Sequence, residues 1–148
     1  MRWGCGSMRM LDVNILVNAQ RRDMEHHEQC LTALKELLYG EEAYAVSDFV
    51  INGFIRIVTN PRIPGSTPFD TARQFAESVQ GQPHAVTVHA GPRHWEIFTR
   101  LCTATDAKGK LIPDAYLAAL AIEHGCEFVT CDRDFAKFEG LRWRSPLN

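Results

Sequence analysis

The chain has 148 residues, 45% apolar and 23% charged, which excludes a disordered or fibrous protein and allows one hydrophobic core. No apolar run approaches the ~20 residues needed to span a bilayer, and Met1–Met8 lacks the apolar core of a secretion signal, so a cytoplasmic protein without membrane attachment is expected. The formal net charge of −2 gives no global attraction for nucleic acid, so a nucleic-acid partner would need a local basic patch or bound metal ions.

Met1–Ser7 does not read as the start of a strand and is set aside as an unassigned extension; one domain is expected over residues 8–148. Arg9–Leu11 reads as a short strand ending at Asp12, followed by a helical turn over Asn14–Ala19. His26–Tyr39 places Cys30, Leu31, Leu34, Leu37 and Leu38 at helical spacing. Ala43–Val46 reads as a buried strand, and Ser47 caps a helix running to about Thr59, stopped by Asn60-Pro61. Pro64–Pro68 is a turn cluster, Asp70–Val79 a helix, Ala85–Val88 a strand and His94–Ala104 a helix. Asp106–Lys110 is a charged loop. Pro113–His124 is a helix with proline early and Gly125 just past its end. Glu127–Thr130 is a strand, and Asp132–Phe138 begins another helical turn. Strands separated by helices predict an α/β domain with a mostly parallel sheet, whose ligands bind beyond the carboxyl ends of the strands.

Three acids fall at that end: Asp12 after the first strand, Asp114 opening the Pro113 helix, and Asp132 after the strand at Phe128–Thr130. Taken singly, Asp12 can be a turn former, Asp114 can complement the helix dipole, and Asp132 or Asp134 can cap the following turn. Independent capping gives no reason for three acids at one end of one sheet. A hard cation such as Mg²⁺ or Mn²⁺ takes carboxylate, water and phosphate oxygens, and relieves the repulsion of a clustered set. Asp132 is assigned to the metal and Asp134 to a supporting role. The five cysteines form no C-x-x-C pair, which argues against a zinc site or a disulfide framework and for small core hydrophobes.

Leu11-Asp12-Val13-Asn14, Pro113-Asp114-Ala115 with the alanine- and leucine-rich helix behind it, and Thr130-Cys131-Asp132-Arg133-Asp134-Phe135 resemble the PIN-domain toxins of the VapC type. The middle helix Gly53–Arg62 is similar to its counterpart there, and the likeness runs from about Met8 to Leu147. The resemblance implies a three-layer α/β/α sandwich and a Mg²⁺- or Mn²⁺-dependent endoribonuclease. It also implies a homodimer and a VapB-like antitoxin that inhibits the enzyme. One position departs from the pattern. The glutamate that PIN domains usually carry in the middle helix is Gly53 here, which leaves metal affinity in question.

Around the three acids, Asn14 either orients Asp12 or caps the next turn, and Thr130 is a candidate donor to the site. Asp48, Asn52 and Arg56 form a polar stripe at four-residue spacing that either lines the site or is solvated. Arg56, Lys110 and Arg133, with Arg62 and Lys108, are candidates for RNA phosphate contact. His94 reads as a packed or capping residue, and His26-His27 lacks the spacing of a helical metal pair. Grooves for an inhibitor peptide are expected near Leu31–Leu38 and Phe49–Phe54, with a partner Arg or Lys among the carboxylates. The alternative reading is a weakened PIN-fold module that binds RNA or protein. Aspartyl phosphotransfer fits less well because position 14 is not acidic, and a P-loop is excluded because no Gly-rich phosphate loop is present.

Overall fold

The computed structural model describes residues 8–147; Met1–Ser7, with Cys5 and the expected extension, and Asn148 lie outside the described residues. Five strands form one parallel sheet: β1 (Arg9–Leu11), β2 (Tyr44–Ser47), β3 (Ala85–Val88), β4 (Glu127–Val129) and β5 (Trp143–Arg144), in the order β3-β2-β1-β4-β5. In the centre, Met10 of β1 is in register with Ala45 on one side and Phe128 on the other. All four residues of β2 are buried, and a strand hidden on both of its alternating faces must be covered on both by helices. This is the expected α/β/α arrangement. No helix of the described residues is long and apolar enough to cross a membrane.

The helices are α1 (Val13–Gln20), α2 (His27–Tyr39), α3 (Asp48–Val58), α4 (Phe69–Gln80), α5 (His94–Thr105) and α6 (Leu111–Glu123), with a 3-10 turn over Arg133–Lys137. Ser47 caps α3 as its sequence position suggests, its hydroxyl accepting from Phe49 N at 3.1 Å. Helix α6 begins at Leu111, two residues before the expected start at Pro113. The proline is tolerated because first-turn N–H groups have no intrahelical partner. Its run Ala118-Ala119-Leu120-Ala121 is buried throughout, and such small side chains allow a helix to lie close to its neighbours. Gly125, at φ +66, turns the chain directly from α6 into β4. Helix α6 therefore runs antiparallel to the strands, and its N-terminus, with Asp114, lies at their carboxyl end.

In this order β1 leads on to β2 at one flank and β4 to β5 at the other, so the crevice between β1 and β4 is the topological switch point where such folds bind ligands. Asp12 follows β1 and Asp132 follows β4 by three residues.

Candidate active site

At this edge lies an open cleft of about 350 Å³, lined by Asp12, Asp114 and Asp132 together with Asn14, Arg56 and the backbone of Gly53. Apolar residues, among them Met24, Phe49, Ile57 and Leu117, form the rest of its wall. The three acids singled out in the sequence thus share one cavity.

Asp12 is only 6% exposed and is held at both oxygens. Oδ1 accepts from Val13 N at 2.7 Å, which caps α1. Oδ2 accepts from Thr130 Oγ1 at 2.7 Å and from Asn14 Nδ2 at 3.2 Å. Thr130, fully buried, spends its single proton on Asp12, and its lone pairs accept from Asp132 N at 3.0 Å and Asn14 Nδ2 at 3.3 Å. Asn14 Oδ1 accepts from Cys131 N at 3.1 Å. Asn14 and Thr130 therefore tie the end of β1 to the segment after β4, and both serve Asp12. The sequence left the role of Asn14 open between orienting Asp12 and capping; its side chain bonds Asp12 and the 131 backbone.

Burial pushes the Asp12 carboxyl up to about 6, against the hydrogen bonds from Thr130 and Val13 and with the added repulsion of Asp114 and Asp132. Asp114 is also raised, first by burial and then by Asp132 and Asp134, while Lys110 opposes the shift. Asp114 Oδ2 is buried and accepts no hydrogen bond. Helix-dipole compensation alone gives no reason to bury an anionic oxygen without a partner, since such a group carries its full desolvation penalty. Asp132 is the residue that caps the 3-10 turn, through Oδ1 accepting from Asp134 N at 2.9 Å. Its Oδ2 faces Lys110 Nζ at 3.8 Å. Asp134 itself is exposed and acts on the cleft through its charge.

Among the described residues no three His, Cys, Asp or Glu side chains stand close enough together to form a ready metal shell. A hard cation nevertheless needs only one or two carboxylates beside water and phosphate. The unpartnered Asp114 oxygen and the shared repulsion of the three acids fit such an ion.

The polar stripe on α3 divides. Arg56 reaches the cleft, whereas Asn52 is exposed outside its lining. Asp48 turns toward His89, 3.7 Å away on the surface. Lys108 pairs with Asp106 at 2.8 Å in solvent, and Arg62 and Arg133 are exposed. His94 is a packed residue, its Nε2 3.0 Å from Tyr116 O and its ring against Tyr116. His27 contacts Asn18 O at 2.8 Å through Nδ1.

The family model of the PIN domain matches residues 9–141. The chain belongs to the PIN domain family. This PIN domain is 41% identical over 142 residues to Ribonuclease VapC31 of Mycobacterium tuberculosis, covering 95% of this chain and 100% of that protein. It is 40% identical over 140 residues to Ribonuclease VapC25 of the same organism, covering 94% and 99%. Its fold is similar to a chain in the crystal structure of VapBC2 from Rickettsia felis bound to a promoter DNA fragment (TM-score 0.70, 17% identity, 93% and 98% covered). It is also similar to VapC20 of M. tuberculosis, described as a sarcin-ricin loop cleaving toxin (TM-score 0.65, 14% identity, 90% and 98% covered). The VapC resemblance seen in the three acidic motifs is thus borne out across the chain.

Gly53 has a local explanation in this PIN domain. A Cβ built there would stand 3.2 Å from Val13 Cγ2 and 3.7 Å from Cγ1. Helix α3 lies against the residue that follows Asp12, and glycine eases that approach.

Proposed function

We propose that this chain is a Mg²⁺- or Mn²⁺-dependent endoribonuclease, the toxin of a toxin–antitoxin pair, which hydrolyses RNA phosphodiester bonds. The observation that carries the reading is the buried, unpartnered Oδ2 of Asp114 in the same cleft as the buried Asp12, whose carboxyl is pushed up to about 6. The names of the relatives with about 40% identity, both ribonucleases, support it.

In this reading Asp12, Asp114 and Asp132 hold the cation. Bound there, it would neutralise phosphate charge and make a water nucleophilic near neutral pH. Thr130 and Asn14 fix the Asp12 carboxylate so that its oxygens need not reorient. Arg56 in the cleft and Lys110 at its rim supply positive charge for the RNA backbone, with Arg133 beside them. The apolar wall at Met24, Phe49, Ile57 and Leu117 offers a groove for an inhibitory segment of a VapB-like antitoxin, whose Arg or Lys would stand among the carboxylates in place of the cation. A homodimer acting in the cytoplasm belongs to the same proposal. The test is incubation of the purified chain with a mixed RNA pool in Mg²⁺, in Mn²⁺ and in EDTA. Metal-dependent internal cuts support the proposal, and intact RNA in every condition contradicts it.

Thr130→Val keeps the volume and removes one donor and two acceptor sites. It is expected to lower metal affinity and cleavage by about 10–100-fold with native circular dichroism; activity equal to the parent would show that Asp12 needs no holder.

Gly53→Glu adds a carboxylate at the cleft wall. It should tighten Mn²⁺ binding while lowering stability by roughly 1–3 kcal/mol through the contact with Val13. Calorimetric titration and melting of one preparation give both readouts, and no change in either would mean that position 53 does not face the site. The binding-module reading rests on this same glycine; RNA retained but uncut is its signature.

A further inference from the structure

Cys30 on α2 and Cys131 just past β4 are 101 residues apart in sequence, yet their Sγ atoms stand 3.4 Å apart. The Asn18 side-chain amide donates to both sulfurs, at 3.6 and 3.8 Å. Core cysteines that act only as small hydrophobes do not call for a buried amide aimed at two thiols. Burial raises the thiols of Cys102 and Cys126 in the ordinary way. Between Cys30 and Cys131 the shared hydrogen bond draws the Cys30 thiol down and pushes the Cys131 thiol up. Exposure is also unequal: Cys30 is 0% exposed, while Cys131 is partly open to solvent.

We propose that Cys30 and Cys131 form a dithiol site that is oxidised to an intramolecular disulfide by low-mass disulfides of the glutathione class. The more exposed Cys131 sulfur, giving up its proton, attacks one sulfur of the oxidant, forms a mixed disulfide and expels one thiolate. The Cys30 sulfur then attacks Cys131 Sγ, the second thiolate leaves, and the Cys30–Cys131 bond closes. The protein gives up two electrons and two protons, and the oxidant departs as two thiols. Closure shortens the sulfur separation from 3.4 Å to ~2.05 Å. This draws residue 131 toward α2 and strains the Cys131 N–H bond to Asn14 Oδ1, next to Asp132. Loss of cleavage on closure rests on the ribonuclease reading; the cross-link does not.

The test treats the reduced full-length chain with excess glutathione disulfide under native conditions, blocks remaining thiols with iodoacetamide, and maps unreduced peptides by mass spectrometry. The expected map joins the peptides containing Cys30 and Cys131 and leaves Cys102 and Cys126 alkylated. Cleavage falls in proportion to the joined fraction and returns with dithiothreitol. Cys131→Ser abolishes the joined peptide. Cys30→Ala, checked for native circular dichroism, stops at the Cys131 glutathione adduct. Alkylation of both thiols, or a persistent Cys131 adduct in the parent protein, overturns the proposal. A joined pair in a chain that cuts no RNA when reduced overturns the ribonuclease reading and supports the dithiol site.

Discussion

Asp114→Asn is expected to leave the fold in place and to lower RNA cleavage by about a thousandfold, equivalent to ~4 kcal/mol of transition-state stabilisation. The carboxylate makes no hydrogen bond through Oδ2, so the substitution breaks no contact there. Removing its charge relieves repulsion with Asp132 and Asp134, which raise its pKa together with burial. The melting temperature of the metal-free protein should therefore hold or rise. A nuclease assay on RNA and a melting curve in EDTA, run on one preparation, separate loss of chemistry from loss of fold. Undiminished cleavage would return Asp114 to the role of a helix-dipole residue.

The metal-free protein should lose stability as pH rises from about 4 to about 6.5, by up to ~3 kcal/mol from Asp12 alone. The Asp12 carboxyl lies at about 6 in the folded chain against 3.8 for the free group. Between those values the folded state binds more protons than the unfolded state, so stability falls with pH through the window and levels off above it. Asp114, raised as well, adds in the same direction. Glu123, lowered by hydrogen bonds from Gly91 N and Arg93 N against the effect of burial, acts oppositely, its contribution being lost as pH falls. Saturating Mn²⁺ binds the ionised form and should cancel the decline. Urea midpoints in EDTA across this range check the sign; a rise in stability through the window would show that Asp12 is held as a favourable carboxylate.

The parts of the fold legible in the sequence were those with strong periodicity or punctuation. Ala85–Val88 and the Ser47 cap fall where the residues place them. The acids after β1 and β4 and at the head of α6 were legible because parallel sheets put ligands at one edge. Strand β5 was missed: Trp143–Arg144 is two residues long and owes its strand character to pairing with β4, which no local pattern records. The sequence left open whether Asp132 or Asp134 caps the turn after β4; Asp132 does so through one oxygen, and its other oxygen faces Lys110. Arg21, which no motif or periodicity singles out, is buried and donates to Pro64 O and Gly65 O, pinning a loop more than forty residues away in sequence. The Cys30–Cys131 contact was invisible for the same reason. Long-range side-chain partners follow from how the elements pack in three dimensions, not from spacing.

If Asp12, Asp114 and Asp132 hold the divalent cation that RNA cleavage requires, metal binding and cleavage rise and fall together. Electron paramagnetic resonance of Mn²⁺, titrated into the chain while cleavage of labelled RNA is followed on the same samples, tests it most directly. Cleavage should rise along the Mn²⁺ binding curve, and Asp12→Ala should abolish both. Cleavage that persists in EDTA, or survives in Asp12→Ala while bound Mn²⁺ is lost, would contradict it.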